Sequence, residues 1–233
     1  GPIGCEMAQA FWRLGSHVTL LEAGPQILPQ DEPEASDLIA SCLISDGVDL
    51  RLGAMVQRVW QNGDTIHVGI EGQELEGDAL LVAAGRRPSL EDLRLDKAGV
   101  VYGPHGIEVN SRLRTNRRHI YAAGDCVGGY QFTHYAAWQG FMAVRNAFLP
   151  SGQSAVLDQV PWATFTDPEL AHTGLTEAQA QSKFGQEAVV CNWPLDQVDR
   201  ALTEGDAIGF VKLIHRPNGT ILGATIAAPR AGE

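Results

Sequence analysis

The sequence predicts an α/β fold that begins with a doubly wound parallel-sheet domain, contains an antiparallel meander and continues into an α+β domain. Three observations support this prediction. Helix-like and strand-like stretches alternate over residues 2–50, the hydrophobic pattern then changes to a period of two, and short strands dominate after residue 152. Alternating helices and strands are typical of parallel sheets, whereas period-two segments joined by tight turns are typical of antiparallel ones.

Residues 2–50 carry the alternation. Apolar side chains recur at helical spacing in two stretches, and each is followed by a short apolar run of the kind buried in a parallel sheet. Gly15 and Gly47 stop the two helices, Pro33 suits the first position of the second helix, and Asp31 or Glu32 is predicted to cap it. The predicted elements are a helix over 2–15, a strand over 17–21, a helix over 33–46 and a strand over 48–50.

The rest of the chain is predicted to be richer in strands. Asn62-Gly63 is a hairpin turn signal inside an alternating run. Pro150-Ser151-Gly152 is predicted to be a linker, and Thr176 followed by Gln179 resembles a capping box at the start of a helix. The remaining predicted elements are strands over 55–60, 66–70, 79–83 and 119–122, a helix over 133–148, and strands over 163–165, 187–193, 208–214 and 221–226.

The composition limits the function classes. The 233 residues are 44% hydrophobic and 19% charged, which is ordinary for a globular protein, and the net charge is −11. A chain this acidic will not hold a nucleic acid through its overall field, although the pair Arg86-Arg87 can meet a phosphate locally. No apolar run approaches the roughly 20 residues of a membrane helix. Neither a nucleic acid nor a membrane is therefore expected as a partner.

Cysteines and histidines give no sign of a disulfide framework or a metal centre. Cys5, Cys42, Cys126 and Cys191 are far apart and form no CxxC pair, so we predict reduced thiols in a cytoplasmic protein. The seven histidines show no ligand spacing, so no metal site is predicted.

The chain begins inside a glycine-rich turn. No Met precedes Gly1, and residues 231–233 end without a helix or cap, so we expect a piece of a longer protein. Gly1-Pro2-Ile3-Gly4 matches the second half of GxGxxG, in which Gly1 would let the backbone approach a pyrophosphate and Gly4 would let the helix pack closely on a strand. Glu22 ends the next strand, where an acid accepts a hydrogen bond from a ribose 2′-hydroxyl and disfavours a 2′-phosphate. This favours NAD(H) over NADP(H), the alternative being that Glu22 is a solvated charge.

A second strand–turn–helix segment also ends in a carboxylate. Residues 115–125 (TNRRHIYAAGD) predict a strand that ends in Ala-Gly-Asp, so Asp125 would project from the carboxyl edge of a sheet and could bind a sugar-like polyol. A helix then begins near Phe132-Thr133-His134, and its N-terminus could stabilise charge on a bound ring. In the alternative interpretation Asp125 only caps a turn.

Together these segments resemble the pyridine nucleotide–disulfide oxidoreductases, the family of dihydrolipoamide dehydrogenase, mercuric reductase and glutathione reductase. The resemblance covers essentially the whole chain, and residues 162–169 (WATFTDPE) and 174–177 (GLTE) look like the start of the family's dimerisation domain. It implies FAD and NAD(H) as cofactors and a homodimer. The implied domains are an NAD-binding domain over 1–105 that lacks its first strand, the C-terminal part of a FAD-binding domain over 106–152, and a truncated dimerisation domain over 153–233.

The resemblance also implies roles for individual residues. Asp125 would bind the flavin ribityl chain, and residues 131–134 would lie along the flavin. Glu6 matches the family's acid beside the nicotinamide and flavin, where it pairs with a lysine that this chain lacks. Gly85 would lie beside the nicotinamide, and Val56 would line the adenine site. The implied cofactor-binding residues are Gly1, Gly4, Glu22, Val56, Gly85, Gly124, Asp125, Gln131, Phe132, Thr133 and His134.

Three parts of the family pattern are absent from this chain: the first flavin-binding GxGxxG, the redox-active CxxxxC pair and the C-terminal His-x4-Glu pair. We therefore predict part of an oxidoreductase that passes electrons between nicotinamide, flavin and a redox disulfide. The glycine turn is closer to that of mercuric reductase, whereas Glu22 favours NAD use, as in dihydrolipoamide dehydrogenase. The sequence therefore does not decide between a small-molecule, a disulfide and a metal-ion substrate. The alternative is a catalytically incomplete fragment that binds a nucleotide or dimerises.

Overall fold

The computed structural model describes residues 1–150, 152–157 and 159–233, so Ser151 of the predicted linker lies outside the described residues. The chain divides into two compact units, one made of residues 1–84 and 161–233 and the other of residues 85–160. The helices are α1 (Pro2–Arg13), α2 (Pro33–Asp46), α3 (Leu95–Ala98), α4 (Thr133–Phe148), α5 (Glu177–Phe184) and α6 (Asp199–Glu204). The strands are β1 (Thr19–Leu21), β2 (Asp49–Arg51), β3 (Arg58–Asn62), β4 (Thr65–Ile70), β5 (Gln73–Gly77), β6 (Tyr102–Gly103), β7 (Gly106–Ile107), β8 (Trp162–Thr164), β9 (Glu169–Gly174), β10 (Val189–Pro194), β11 (Phe210–His215) and β12 (Ile221–Ala228).

The first unit begins with the predicted helix–strand–helix–strand order. Strands β1 and β2 pair in parallel, with Leu20 opposite Leu50, and helices α1 and α2 share a core that contains Cys5, Ile39 and Leu43. Gly47 ends α2 as predicted, at a φ of 116° that disfavours any residue with a side chain. A Cβ atom there would also lie 2.2 Å from the Trp12 ring, so the close approach of the two helices requires glycine.

The predicted strand over 79–83 is wrong. This segment has no regular secondary structure, and Leu80, Leu81 and Val82 are 43%, 56% and 76% exposed. An apolar run becomes a strand only when another strand supplies the ladder of backbone hydrogen bonds. The described residues provide no such partner for 79–83, and the apolar side chains remain uncovered.

The antiparallel meander follows the period-two pattern. Strands β3, β4 and β5 pair in that order, and the predicted hairpin is confirmed. Asn62 pairs with Thr65, so the two turn residues are Gly63, at a φ of 60°, and Asp64. Strand β3 begins at Arg58 rather than at the predicted position 55. Strand β5 was not predicted, because its sequence QELEG is mostly polar and shows little apolar alternation.

A five-stranded antiparallel sheet completes the first unit, in the order β10-β11-β12-β9-β8. Four of its strands match predicted ones to within a few residues, whereas β9 was not predicted. Side chains alternate along β11, so Phe210, Lys212 and Ile214 face the interior. Helix α5 packs on this sheet, and its predicted capping box between Thr176 and Gln179 is confirmed by both reciprocal hydrogen bonds.

The predicted side-chain cap of α2 is wrong. Glu32 occupies the N-cap position without donating or accepting a capping bond, and Asp31 lies one residue before it. The two buried acids instead accept hydrogen bonds from β8 and from the start of α5: Asp31 accepts from Trp162 Nε1 at 2.9 Å, and Glu32 accepts from the backbone nitrogen of Glu177 at 2.6 Å. Burial raises the pKa of Asp31, and the Trp162 hydrogen bond opposes that shift. These contacts tie the start of α2 to the five-stranded sheet.

A buried lysine holds the same region together. The Lys212 side chain is 3% exposed and lies on β11, where its Nζ contacts Glu32 at 3.2 Å, Glu177 at 2.6 Å and also Glu34. Burial alone would lower the pKa of Lys212, but the hydrogen bonds that its ammonium group donates to the three carboxylates outweigh burial, and the pKa is raised. The cluster therefore joins α2, α5 and β11 through one cation.

The second unit is built around α4. Leu113, Met142, Ala143 and Ala155 form one buried cluster, and a second cluster contains Leu95, Val100, Ile107 and Ala122. The predicted strand over 119–122 is wrong, because only a single antiparallel bridge between Arg114 and Tyr121 forms there. Among the described residues of either unit, no helix is long and apolar enough to span a membrane.

Candidate functional site

The glycine turn at the start of α1 forms an open N-terminus. Gly1 is the N-cap, Pro2 occupies the first turn, and no side chain caps the helix. A Cβ atom built on Gly1 would have no neighbour within 4 Å, so the space beside this α-carbon is open. Backbone N–H groups at such a terminus are unpaired and carry partial positive charge, which suits an anionic phosphate.

Gly4 is buried one turn further along α1. A Cβ atom there would lie 3.7 Å from Leu20 and 3.7 Å from Ala83, which are ordinary van der Waals distances. Gly4 thus lies against β1 as expected, but close packing alone does not require glycine at this position.

Glu22 lies beside the glycine turn. Its Oε2 atom is 3.5 Å from the terminal amino nitrogen of Gly1, and its Oε1 atom accepts a hydrogen bond from the backbone nitrogen of Gly24 at 2.9 Å. The carbonyl of Glu22 accepts from Ala54, two residues before the half-exposed Val56. The structure therefore brings Gly1, Glu22 and the segment 54–56, which ends at Val56, together at the carboxyl end of β1.

Glu6 makes a contact that the sequence did not predict. Its Oε1 atom accepts a hydrogen bond from the backbone nitrogen of Phe165 at 2.9 Å. On the next turn, Gln9 exchanges two hydrogen bonds with the backbone of Asp167, at 2.8 and 3.0 Å. Arg13 adds an ion pair to Asp167 at 2.7 Å. One face of α1 is thus fastened to the loop between β8 and β9.

The second unit contains the other group of predicted residues. A cleft of about 410 Å³ is lined by Asp125, Gln131, the Arg86-Arg87 pair and neighbouring residues. Arg86 donates a hydrogen bond to the carbonyl of Gln131 at 2.7 Å, which joins the turn after Gly85 to the segment that leads into α4. Gly85 has a φ of 111°, so this turn depends on glycine. The cleft places one exposed carboxylate beside two cationic side chains.

The segment 131–134 leads into α4. Phe132 is the N-cap, and no side chain caps the helix. The rings of Phe132 and His134 stack at 5.6 Å, while Thr133 and His134 are exposed. An uncapped helix start next to the cleft offers N–H donors and partial positive charge to a bound ring.

Gly124 holds Asp125 in place. It lies in a 3₁₀ turn (Gly124–Val127) at a φ of 80°, and its backbone nitrogen donates to the buried Gln139 Oε1 at 2.8 Å. A Cβ atom at Gly124 would lie 3.1 Å from the Cβ of Ala136. The sequence missed Gln139, because a glutamine inside an apolar helix stripe carries no distinctive motif. The sequence signal that could have singled it out is a polar residue on the apolar face of the predicted helix.

We expect Gly124→Ala to lower the free energy of unfolding by about 1–3 kcal/mol, because it forces a side chain into a left-handed conformation and a tight contact. Gly140→Ala in α4 is the matched control. A Cβ atom there meets nothing within 4 Å, and alanine is the better helix former, so we expect a gain of roughly 0.5–1 kcal/mol. Urea unfolding measures both changes, and equal effects would contradict the steric argument.

No two of the four cysteines form a disulfide in the structure. Cys5, Cys42, Cys126 and Cys191 are all free thiols in the structure. Burial, with smaller contributions from Glu22 and Glu6, raises the pKa of Cys5 to about 11, which fits a thiol that packs in the core. The Cys126 thiol donates to the carbonyl of Ala123 at 3.2 Å.

Comparison with known proteins identifies the family. The family model described as pyridine nucleotide-disulphide oxidoreductase matches residues 1–140, and the model of that family's dimerisation domain matches residues 160–233. The chain belongs to the pyridine nucleotide-disulphide oxidoreductases. This is a family of FAD-binding oxidoreductases that use NAD(P)H.

Individual members of the family match the chain over its whole length. It is 41% identical to mercuric reductase of Bacillus cereus over 100% of this chain and 38% of that protein, and 36% identical to dihydrolipoyl dehydrogenase of Bacillus subtilis over 100% and 51%. Among solved structures, the HOCl-induced flavoprotein disulfide reductase RclA of Escherichia coli matches with a TM-score of 0.91 and 33% identity, over 100% of this chain and 54% of that one. The chain thus spans about half or less of the length of these family members.

Proposed function

We propose that this chain is the nicotinamide-binding and interface part of a FAD- and NAD(H)-dependent oxidoreductase that passes electrons between nicotinamide, flavin and a redox disulfide. The observation that carries the proposal is the meeting of Gly1 and Glu22, which are far apart in sequence, at an uncapped helix N-terminus. A phosphate acceptor and a ribose-binding carboxylate side by side are what a dinucleotide needs.

The residues of the first unit fit NAD(H). The N–H groups of α1 would hold the pyrophosphate, and the open space at Gly1 would admit it. Glu22 would accept from the ribose 2′-hydroxyl, and Val56 would line the adenine. Glu6 would lie near the nicotinamide, held in place by its hydrogen bond from Phe165.

The residues of the second unit fit FAD. Asp125, oriented by the turn at Gly124, would accept hydrogen bonds from the ribityl hydroxyls along the 410 Å³ cleft. Segment 131–134 would lie along the flavin, with the uncapped start of α4 stabilising negative charge on the ring. Gly85 would allow the backbone of its turn to approach the nicotinamide.

When bound, the two cofactors supply the two-electron chemistry, and the protein contributes position and electrostatics. The four cysteines described here are free and unpaired, so the disulfide that accepts or gives the electrons would lie elsewhere in the protein. The substrate would be dihydrolipoamide, mercuric ion or a small disulfide, and the first two are in line with the names of the relatives. Residues 160–233 would form a homodimer, and the free thiols favour a cytoplasmic location.

The visible absorption spectrum of the purified full-length protein tests this function. We expect a bound-flavin spectrum that changes when NADH is added without oxygen, because the two electrons pass through the flavin and either stay there or reduce the disulfide beside it. A colourless protein, or a flavin spectrum that NADH leaves unchanged, would contradict the proposal. NAD⁺ serves as the control, because it occupies the same site without supplying a hydride.

Nucleotide preference gives a prediction about Glu22. We expect Glu22→Ala to lower kcat/KM for NADH by about tenfold or more, since a hydrogen bond to a charged group contributes roughly 1.5–3 kcal/mol. The value for NADPH should stay level or rise, because the repulsion of the 2′-phosphate disappears. Steady-state kinetics with both nucleotides measures the ratio. Glu71→Ala, on the exposed turn after β4, is the matched control, and an unchanged ratio in Glu22→Ala would refute the assignment.

A further inference from the structure

The β4–β5 face of the meander carries a cluster that the proposed function does not use. His67 Nδ1 lies 2.8 Å from Glu74 Oε1 and 3.7 Å from Glu76 Oε1. One ligand atom from each residue can be chosen so that all three lie within 4.8 Å of one another. We propose that His67, Glu74 and Glu76 form a binding site for a divalent transition-metal ion such as zinc.

Strand register creates this cluster. His67 pairs directly with Glu76 across β4 and β5, and Gly69 pairs with Glu74 one position further along the same face. Side chains of directly paired and diagonal residues on one face of an antiparallel sheet are within reach of each other. Because Gly69 has no side chain, Glu74 can turn toward the imidazole. Histidine spacing alone does not reveal such a site, since the two other donors come from a neighbouring strand.

The imidazole is held in a fixed orientation. It stacks on Trp60 with ring centroids 5.1 Å apart and an interplanar angle of 6°. The guanidinium of Arg58 packs over the Trp60 ring, 4.0 Å from its centroid, so this cation is engaged by the aromatic surface. A ring fixed by packing loses less entropy when it binds an ion, which favours affinity.

The donor geometry suits a metal with tetrahedral or similar coordination. Ligands about 2.0–2.1 Å from a zinc ion are roughly 3.3 Å from each other. The separations of 2.8 and 3.7 Å from His67 Nδ1 to the two carboxylate oxygens lie on either side of that value, and all three ligand atoms lie within 4.8 Å of one another. Rotation of the two glutamate side chains would bring the three atoms onto one ion. Three protein ligands leave further positions for water.

Charge and exposure also favour a cation. Two carboxylates face a single imidazole, and a divalent ion offsets the repulsion between them. The side chain of His67 is 13% exposed, whereas those of Glu74 and Glu76 are 48% and 67% exposed, so an ion can enter from solvent. A nitrogen donor beside two oxygen donors favours zinc and its neighbours in the first transition row over calcium or magnesium.

Calorimetric titration of the full-length protein with zinc chloride tests the site. We expect a binding event that weakens at least roughly tenfold in His67→Gln and in Glu76→Gln. His17→Gln and Glu71→Gln, which change exposed residues outside the cluster, are the matched controls and should bind like the parent protein. Both test substitutions lie on the meander surface, and an unchanged flavin spectrum shows that the variants are folded.

Comparing the zinc affinities of the variants distinguishes zinc bound at this site from zinc bound by cysteine thiols, because thiol-bound zinc does not depend on His67. Anomalous diffraction at the zinc edge should place an ion between β4 and β5. Absence of zinc binding, equal affinity in all variants, or an ion found only at cysteine would overturn the proposal. In those cases His67 and Glu74 form only a hydrogen-bonded pair.

Discussion

Lys212→Met is expected to lower the free energy of unfolding by about 3–5 kcal/mol, because removal of one partner from a buried ion pair leaves the other charge uncompensated. Glu32 is 2% exposed and would keep its carboxylate in the interior without the cation that now lies 3.2 Å away. Glu34 and Glu177 would add repulsion from the same cluster. Methionine fills a similar volume, so the change reports on charge more than on packing. Urea unfolding monitored by circular dichroism measures it.

Two variants make this prediction specific. Lys97→Met changes an exposed lysine and should alter stability by less than about 0.5 kcal/mol. The double variant Lys212→Met/Glu32→Gln should recover part of the loss, because a neutral amide replaces the buried charge and can still accept from the Glu177 backbone. If Lys212→Met and Lys97→Met cost the same, the cluster does not stabilise the fold.

The same cluster predicts a dependence on alkaline pH. Since the pKa of Lys212 is raised above its ordinary value of 10.5, its contribution is fully present below that pH. The contribution is lost as the pH rises through the folded-state pKa, when the lysine loses its proton. The parent protein should therefore lose stability at strongly alkaline pH more steeply than Lys212→Met does.

Asp125→Ala is expected to weaken flavin binding by roughly tenfold to hundredfold. The proposed hydrogen bonds from ribityl hydroxyls go to a charged acceptor, and each such bond contributes about 1.5–3 kcal/mol. Asp125 is exposed in the cleft beside Gln131, so the substitution should leave the fold intact. Titration of flavin into the full-length apoprotein, followed by flavin fluorescence, gives the dissociation constant.

Asp96→Ala is the matched control for Asp125→Ala, because it removes an exposed acid from the same unit at a position outside the cleft. It should bind flavin like the parent protein. Asp125→Asn should fall between the two, since the amide oxygen still accepts a hydrogen bond without the charge. Equal affinity in Asp125→Ala and the parent would show that this carboxylate does not hold the flavin.

The sequence determined the elements whose signals are local. Apolar side chains at helical spacing predicted α1 and α2, Gly47 predicted the end of α2, and Asn62-Gly63 predicted the hairpin. The capping box at Thr176 was also visible in the sequence. These features depend on interactions between residues a few positions apart, so the pattern and the structure agree. The family was likewise apparent from its motifs, while the roles of individual cofactor-binding residues stay predictions.

Only the tertiary structure decided which distant residues meet. Strand β5 forms because β4 supplies its hydrogen-bond ladder, whereas the more apolar segment 79–83 has no such partner among the described residues. Lys212 meets its three carboxylates, and His67 its two, only through the packing of α2 and α5 on the sheet and through strand register. Residue patterns encode local backbone preference, but pairing and burial depend on the path of the whole chain, which no short window of sequence contains.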